Sequence, residues 1–548
     1  MKATGAEIVI KELIRQGVDT VFGYPGGYII NIYDELYKHK AKIRHILPAH
    51  EQGAAHAADA YARVSGKVGV VLATGGPGAT NLITGIANAY LDSVPVIFIT
   101  GNVAVPMLGQ DSFQDIDIVG VTLPIVKHSY VVRDVKYLQR TLCEAFHIAA
   151  SGRKGPVHID IPKNVQLDIY DFDVNMQALH SDNTYAYNYD EAISLINKSK
   201  RPFIYCGGGV TSSNTGREVV RLSNKICAPL GMSMMGIGSV PASNELNLGM
   251  SGMHGRYASN IAKSEADLLI ALGIRFSDRA TGNESDFATG TAVIHIDIDA
   301  AEIGKNIRPT VSLCGDLKQI LPALTDSVNP RSNEVWLDRI KELKEKDSIP
   351  SDDSFTPRNI VKLVNSHHDN DTVVTTDVGQ HQMWVAQYYK FEKPGKLIAS
   401  GGLGAMGYGL GAAIGACLAS NGKRTLLFTG DGSFGMNLTE MATAVTWKLP
   451  VSIILLNNNS LGMVRQWQTL FYGKRYCNTT LNRKTDFPAI AKAFGAMGYT
   501  ASCLDELDAA LKNVPDDLPC LIDCKIDIDE KVLPMIPGGG KIEDMIID

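Results

Sequence analysis

RTLLFTGDGSFGMNLTEMATAVTWKLPVSIILLNNN (424–459) decides the fold. Leu426 to Phe428 form an apolar run that closes on Gly430, Asp431 and Gly432. After a helical stretch, Val451 to Leu456 form a second run that closes on three asparagines. Two largely apolar runs with a helix between them describe neighbouring strands of a parallel sheet covered on both faces. In such sheets ligands collect beyond the carboxyl ends of the strands. Gly430 and Gly432 let the backbone approach a phosphate. Asp431 offers a hard anionic oxygen and Asn458 a neutral one. Mg²⁺ takes one or two protein carboxylates and completes its octahedron with phosphate oxygens and water. Either turn alone would be ordinary. Their pairing across the 24 residues from 433 to 456 is the signal.

Outward from this segment the same alternation of strand and helix recurs in three blocks. The first runs to residue 165, with strands at VGVVLAT (68–74), VPVIFIT (94–100) and PVHIDIP (156–162). The polar stretch 170–189 reads as a linker. The second block spans 190–325, with strands PFIYC (202–206), DLLIALG (267–273) and AVIHIDID (292–299), and a charged Ser/Asn/Pro-rich region follows it. The third spans 355–548 and adds the strand TVVTTDVG (372–379). The expected class is α/β, with three doubly wound parallel-sheet domains. Blocks one and three have similar layouts. A length of 548 residues exceeds a single core.

Hydrophobic residues make up 45% and charged residues 20%, the profile of a soluble globular chain. The net charge of -6, without a basic run, argues against nucleic acid. The nine cysteines are odd in number and scattered, which fits a reduced, cytoplasmic protein. Ala6, Val9, Ile10 and Leu13 mark an N-terminal helix that Gly17 can close, and Glu7, Lys11 and Glu12 interrupt any signal-peptide core. VPVIFITGNVAVPML is broken by Gly101, Asn102 and Pro106, so no membrane span is expected.

HILPAHEQGAAHAADAYARVSG places Glu51 at a strand-to-helix junction. The plain reading is a carboxylate stabilising a helix N-terminus, worth ~0.3–1 kcal/mol. The run Ala54, Ala55, Ala57, Ala58, Ala60 and Ala62 adds a second reading, close packing against another element. A carboxylate beside such an interface is desolvated and suited to proton sharing.

GDG, two dozen residues, then NN resembles the motif of the thiamine-diphosphate-dependent enzymes. The resemblance implies that Asp431, the Asn458 side chain and the Ser460 carbonyl hold Mg²⁺, which holds the cofactor's diphosphate. DVGQHQMW (377–384) is similar to the second diphosphate clamp, with Gln380 and His381 at the phosphates. Standing alone, His381 would be read as an ordinary histidine. HEQGAAHAADAYAR resembles the family's glutamate motif. This implies that Glu51 hydrogen-bonds the aminopyrimidine of a cofactor held by a neighbouring subunit and serves as general acid and base.

Over essentially the whole chain the resemblance narrows to the acetohydroxyacid synthases. FGYPGG (22–27) resembles a glycine turn beside the cofactor, so Gly27 joins Glu51 and Gln114 at the reacting centre. GGPGATNLITG (75–85) matches a family loop, with Gly75 where serine is usual. GQDSFQD (109–115) resembles GTDAFQE, keeping Phe113 and Gln114 and departing at Gln110. KHS (127–129), SGRKGP (151–156) and DIPK (160–163) also match, implying Arg153 at a flavin and Lys163 at the substrate channel. LGMVRQWQ (461–468) implies Met463 and Val464 near the thiamine and Trp467 at the second keto acid; alone, Trp467 would be read as a buried anchor. Val378, Gly404, Met406, Gly432, Ser433, Leu461 and Gly462 complete the implied thiamine contacts, with Met406 propping the bent cofactor.

LGMSGMHG (248–255), GIRFSDR (273–279) and HIDID (295–299) resemble FAD-binding segments, with Ser277 where the family has aspartate. Implied contacts are Arg153, Gly207, Gly208, Gly209, Met253, His254, Gly273, Arg275, Arg279, Asp297, Ile298 and Asp316. The residues make sense of some of these. Three glycines after a strand permit close backbone approach, Asp297 suits ribose hydroxyls, and Arg275 or Arg279 suits phosphate. Those glycines serve equally well as structural turns.

The implied reaction decarboxylates pyruvate and ligates the two-carbon remainder to pyruvate or 2-ketobutyrate. Substrate contacts are Phe113, Lys163, Met253, Arg279 and Trp467, with Arg279 gripping the acceptor carboxylate. VLPMIPGGGKIEDMI (532–546) resembles the family's C-terminal lid. The partners implied are 2-keto acids, a homodimer or tetramer with the site at the subunit interface, and a small regulatory subunit. The rivals are an FAD-dependent pyruvate oxidase, another thiamine-dependent 2-keto acid decarboxylase, and a noncatalytic nucleotide-binding chain. Retention of Glu51, Asp431 and Asn458 weighs against the last.

Overall fold

A computed structural model describes residues 1–177, 179, 188–284, 287–348 and 352–547. Part of the linker expected at 170–189, and of the charged region ending at 354, lies outside them. Strands are numbered in chain order. A short antiparallel pair, β1 (Lys2–Thr4) and β8 (Ile169–Asp171), brackets the first block. Within it, β2 (Thr20–Tyr24), β3 (Arg44–Ile46), β4 (Gly69–Ala73), β5 (Val96–Asn102), β6 (His128–Val131) and β7 (Val157–Pro162) form a parallel sheet of order β3-β2-β4-β5-β7-β6.

The second sheet contains β9 (Pro202–Cys206), β10 (Leu230–Met232), β11 (Asn247–Met250), β12 (Leu268–Leu272), β13 (Ala292–Asp297) and β14 (Val311–Cys314). Its order is β11-β10-β9-β12-β13-β14. This is the 3-2-1-4-5-6 order of dinucleotide-binding sheets, with its reversal between β9 and β12. The third sheet contains β15 (Val373–Thr376), β16 (Leu397–Ile398), β17 (Thr425–Gly430), β18 (Val451–Asn457), β19 (Met497–Ala501) and β20 (Cys520–Lys525), in the order β16-β15-β17-β18-β20-β19. Counted within each block, the first and third sheets have the same order. The similarity of layout read from the sequence is therefore a shared topology.

All nine strands read from the sequence are present. Those missed are mostly short, such as β3, β10 and β16, and carry too few residues to show a pattern. The charged region after the second block contains a helix, Glu334–Lys346, whose Trp336, Ile340 and Leu343 are buried against the second block. Their spacing is helical, but Lys and Glu dominate the stretch and hide it. The N-terminal helix is Gly5–Arg15, capped by the Thr4 hydroxyl, with Ala6, Val9, Ile10 and Leu13 buried as expected.

The alanine run finds its partner in the third block. The helix Glu51–Ser65 lies along the helix Tyr408–Ala419, and the two blocks share one core containing Ala54, Ala57, Ala58, Leu410, Ala413 and Ile414. The approach is so close that a Cβ on Gly415 would stand 2.7 Å from the Ala57 carbonyl carbon. Glycine on one helix and alanine on the other are what this spacing requires. Among the described residues, no helix is long and apolar enough to cross a membrane.

Candidate functional site

Gly430 and Leu456 are register partners on β17 and β18, so Asp431 and Asn458 leave the sheet at one edge. Asp431 opens the helix Asp431–Asn437. Burial pushes its carboxyl up to about 6, against backbone N–H groups that favour the charged form. It makes no salt bridge among the described residues. Asn458 is buried. Its Oδ1 accepts the Ser460 N–H at 3.1 Å and its Nδ2 donates to Gln380 Oε1 at 3.2 Å. Gln380 donates onward to Gln466 Oε1 (3.0 Å) and to the Glu530 carbonyl (2.7 Å). A Cβ on Gly462 would lie 2.6 Å from Asn458 Nδ2, so this crossing of side chains needs a glycine.

His381 is buried, and burial pushes it down to about 3, which leaves it neutral near pH 7. Its Nε2 has no partner. The Ser433 hydroxyl donates to the Val378 carbonyl at 2.8 Å. Leu461 and Met406 both lie against Gly432, at 2.7 and 3.8 Å from where its Cβ would be. The edge thus gathers a buried carboxylate that makes no salt bridge and a buried imidazole nitrogen that makes no hydrogen bond, both among the described residues. Both deficits fit a divalent cation carrying a diphosphate. Among the described residues no three His, Cys, Asp or Glu side chains form a metal cluster. A single carboxylate is all that Mg²⁺ requires when phosphate supplies the rest.

Glu51 is the first residue of its helix and is half-buried. Asn81 donates to its Oε2 at 2.9 Å. The turn before it is gripped from the third block, where Glu440 accepts the Ala49 and His50 N–H groups at 3.1 and 3.0 Å and the Thr443 hydroxyl at 2.7 Å. Burial raises the Glu440 carboxyl, and these three donors act against that. Farther along, Arg63 pairs with Asp59 (2.8 Å) and Asp92 (2.9 Å), and the Tyr408 hydroxyl donates to Asp59 at 2.7 Å. Asp92 also accepts the Gly401 and Gly402 N–H groups, so the Glu51 helix is tied to the loop that leads to Met406. Sequence reasoning missed Glu440, Asn81 and this network. Their only signal was polar residues inside apolar runs.

A second concave edge lies where the order of the middle sheet reverses. The Gly209 N–H donates to the Gly273 carbonyl at 3.0 Å, and a Cβ on Gly209 would meet Gly273 Cα at 2.6 Å. Gly207 packs against the same glycine and Gly208 against Met235. These glycines let two loops of the chain touch one another, so the structural-turn reading accounts for them. Arg275 is half-buried, makes no salt bridge among the described residues, and has its pKa lowered by burial and by Arg153. Arg153 pairs with Glu302 (2.7 Å) and Asp299 (3.2 Å). Burial pushes Asp297 up to about 6 and His254 down to about 4; Nδ1 of His254 is unpartnered. Asp316 caps the helix Leu317–Ser327 through the Lys318 N–H, and Ile298 is exposed. An unpaired, desolvated guanidinium and a buried carboxyl at a switch point fit the phosphate and ribose of a dinucleotide.

The expected substrate residues fall into two groups. Arg279 Nη1 lies 3.4 Å from Met253 Sδ, and its guanidinium stands 5.5 Å from the Trp467 ring. Trp467 is half-buried, meets Phe471 edge-on and has an unpartnered indole nitrogen. The C-terminal tail covers this group, with the Ile536 N–H donating to the Met253 carbonyl at 2.8 Å. The other group surrounds Tyr28 in the first block. The Tyr28 hydroxyl donates to the Phe113 carbonyl at 2.7 Å and Lys163 Nζ is 6.0 Å from the Tyr28 ring. Phe113 is 79% exposed, Gly27 is open to solvent, and Gln114 has a positive φ. A cavity of about 500 Å³, walled by Asp115, Asp117, Arg133 and Asp160 among others, opens beside the 109–115 loop. Of the departures, Gln110 donates to the Pro106 carbonyl, Ser277 precedes the helix Asp278–Thr281, and a Cβ at Gly75 would press on the Gly101 carbonyl at 2.7 Å.

Comparison with known proteins follows this geometry. Family models match residues 3–121 (thiamine pyrophosphate enzyme, N-terminal TPP binding domain), 189–324 (central domain) and 377–524 (C-terminal TPP binding domain). The acetolactate synthase isozyme 2 large subunit of Escherichia coli K12 is 43% identical over 99% of this chain and 99% of its own length. The acetolactate synthase large subunits of Lactococcus lactis and Cyanidium caldarium are 41% and 44% identical, each over 99% of this chain and 96% of its own length.

Proposed function

The chain belongs to the thiamine pyrophosphate enzymes and, within them, to the acetolactate synthase large subunits, and from that premise we propose how its residues share out an acetohydroxyacid synthase reaction. The observation that carries the proposal is the edge of the third sheet. Asp431, the Asn458 side chain and the Ser460 carbonyl hold Mg²⁺ there, and Gln380 and His381 meet the diphosphate. Val378, Gly404, Gly432, Ser433, Leu461, Gly462, Met463 and Val464 would form the walls, and Met406, beside Gly432, would support the cofactor. Thiamine diphosphate, when bound, supplies the electron sink that pyruvate decarboxylation needs.

Glu51 holds and moves the proton, with Asn81 fixing its carboxylate and Glu440 fixing the turn in front of it. Two copies assemble so that Glu51 of one meets the diphosphate edge of the other. The support is the exposed apolar side chains that each block carries: Phe113, Leu123 and Met107 on the first block, Met436 and Val464 on the third. Gly27, Phe113, Gln114 and Lys163 then line the entry for the keto acids. Met253, Arg279 and Trp467 receive the acceptor, with the guanidinium on its carboxylate and the indole beside its alkyl group. FAD would be held at the switch point of the middle sheet by Arg153, Arg275, Asp297 and His254. The large-subunit names of the relatives support a smaller partner chain for this one as well.

The test is a product assay with pyruvate, 2-ketobutyrate, thiamine diphosphate, Mg²⁺ and FAD. The expected products are 2-aceto-2-hydroxybutyrate and 2-acetolactate with little acetaldehyde. Acetate or acetyl phosphate with flavin reduction would overturn the assignment in favour of an oxidase.

A further inference from the structure

Lys263 sits half-buried on the helix Tyr257–Glu265, and no carboxylate pairs with it among the described residues. Its Nζ stands 5.1 Å from the Tyr205 ring and 5.0 Å from the Phe287 ring. Among the described residues it donates one hydrogen bond, to the Ala280 carbonyl at 3.2 Å. Burial pushes the amine down to about 8, so keeping its charge costs free energy. Two aromatic faces recover part of that cost for a cation and little of it for a neutral donor.

The carbonyl it holds belongs to the residue after Arg279. The Arg279 carbonyl is itself taken by the Met253 N–H at 2.9 Å. Both peptide groups that follow the Arg279 side chain in the helix Asp278–Thr281 are thereby pinned, one by the Met253 turn and one by Lys263. The tail joins the same place. Gly252, Met253, Lys263, Ala280, Ile536 and Pro537 surround a cavity of about 20 Å³, room for one water.

We propose that Lys263 is a positioning residue for the acceptor keto acid: it fixes the Ala280 carbonyl so that Arg279 is aimed between Met253 and Trp467. The inference rests on the reading of Arg279 as the acceptor's carboxylate ligand. Lys263 touches neither substrate nor cofactor and acts only through its neighbour.

The experiment compares holoenzymes carrying Lys263→Met, Lys263→Gln, Arg279→Ala and the double change Lys263→Met/Arg279→Ala, in competition between pyruvate and 2-ketobutyrate and in acceptor titrations. Lys263→Met should raise the acceptor KM by roughly tenfold, the loss expected of a hydrogen bond from a charged donor, with kcat little changed. Lys263→Gln keeps a donor without the charge and should fall between wild type and Lys263→Met; it also serves if Lys263→Met does not fold. In the double variant the lysine change should add nothing to the effect of Arg279→Ala. An additive double variant, or a fall in kcat at constant KM, overturns the role of Lys263. If Arg279→Ala shifts the acceptor KM and neither lysine variant does, only the lysine inference falls. If Arg279→Ala leaves the acceptor KM and partition unchanged, the reading of Arg279 falls and takes this one with it.

Discussion

Replacing Gly415 by alanine adds one methyl group at the tightest point between the Glu51 helix and its partner. That carbon would stand 2.7 Å from the Ala57 carbonyl carbon and 2.8 Å from Ala57 Cα. Carbon atoms in contact settle at about 3.5–4.0 Å, so the helices must part by about 0.8 Å or more. Overpacking of this kind costs roughly 1–3 kcal/mol. The kinetic cost should be larger than the methyl's distance from the chemistry suggests. Glu51 rides on the displaced helix, and a 1 Å misplacement can cost ~10²-fold in rate. We expect a lowered Tm in thermal unfolding followed by circular dichroism, together with a kcat for pyruvate reduced by roughly ten- to a hundredfold. Thiamine diphosphate binding should persist, because the methyl's own contacts are with Ala57, and Asp431, Gln380 and Asn458 lie on neither of the two helices. A variant with unchanged Tm and unchanged kcat would refute the reasoning, since the backbone would then have absorbed the clash without moving Glu51.

Arg279→Ala should lose most ligation through a raised acceptor KM, with residual product at high acceptor, while leaving decarboxylation, measured as free acetaldehyde; an unchanged product partition would remove Arg279 from acceptor binding. Trp467→Leu should weaken the preference for 2-ketobutyrate over pyruvate by up to ~1–3 kcal/mol, the worth of one methylene in an apolar pocket, read from the competition ratio. Glu51→Gln should lower kcat by about 10²–10⁴-fold with cofactor affinity retained, as measured by titration of the apoenzyme. Asp160, whose carboxyl burial pushes up to about 6 against bonds from Thr100 and Asn102, gives a pH prediction. Because the folded value is raised, its contribution is present below the unfolded value near 4 and is lost as pH rises through 6. Asp160→Asn should therefore compare better with wild type at pH 7.5 than at pH 4, by ~3 kcal/mol for a shift of about two units; Tm differences that do not change with pH would count against it.

What the sequence made legible follows from locality. GDG and NNN each announce themselves within a few residues, and the sheet brings them together because β17 and β18 are neighbours in the chain as well as in space. The Ala54–Ala62 run announced a close helix contact but not its partner, since Gly411 and Gly415 look like any small residues in YGLGAAIGACLA. Glu440 could not be found, because its partners Ala49 and His50 lie 391 and 390 residues away. Lys263 was hidden in the same way. Its ring faces come from Tyr205 and Phe287, on separate segments, and nothing in IAKSEADLL marks the lysine as half-buried. The glycines at 207–209 were legible as a turn but not as a contact with Gly273.

The seam between the Glu51 helix and the helix Tyr408–Ala419 also constrains the order of events during synthesis. The first helix leaves the ribosome some 340 residues before its partner. At ~5–20 residues per second this is a wait of roughly 20–70 s. Throughout it the face of Gly53, Ala57 and Ala60 that meets the later helix waits for its cover. The middle block, with its own sheet and core, can fold in that interval, but it offers that face no complementary surface. Shortened chains that stop before residue 408 should therefore collect on chaperones or aggregate, and the last block to be made is the one that seals the first.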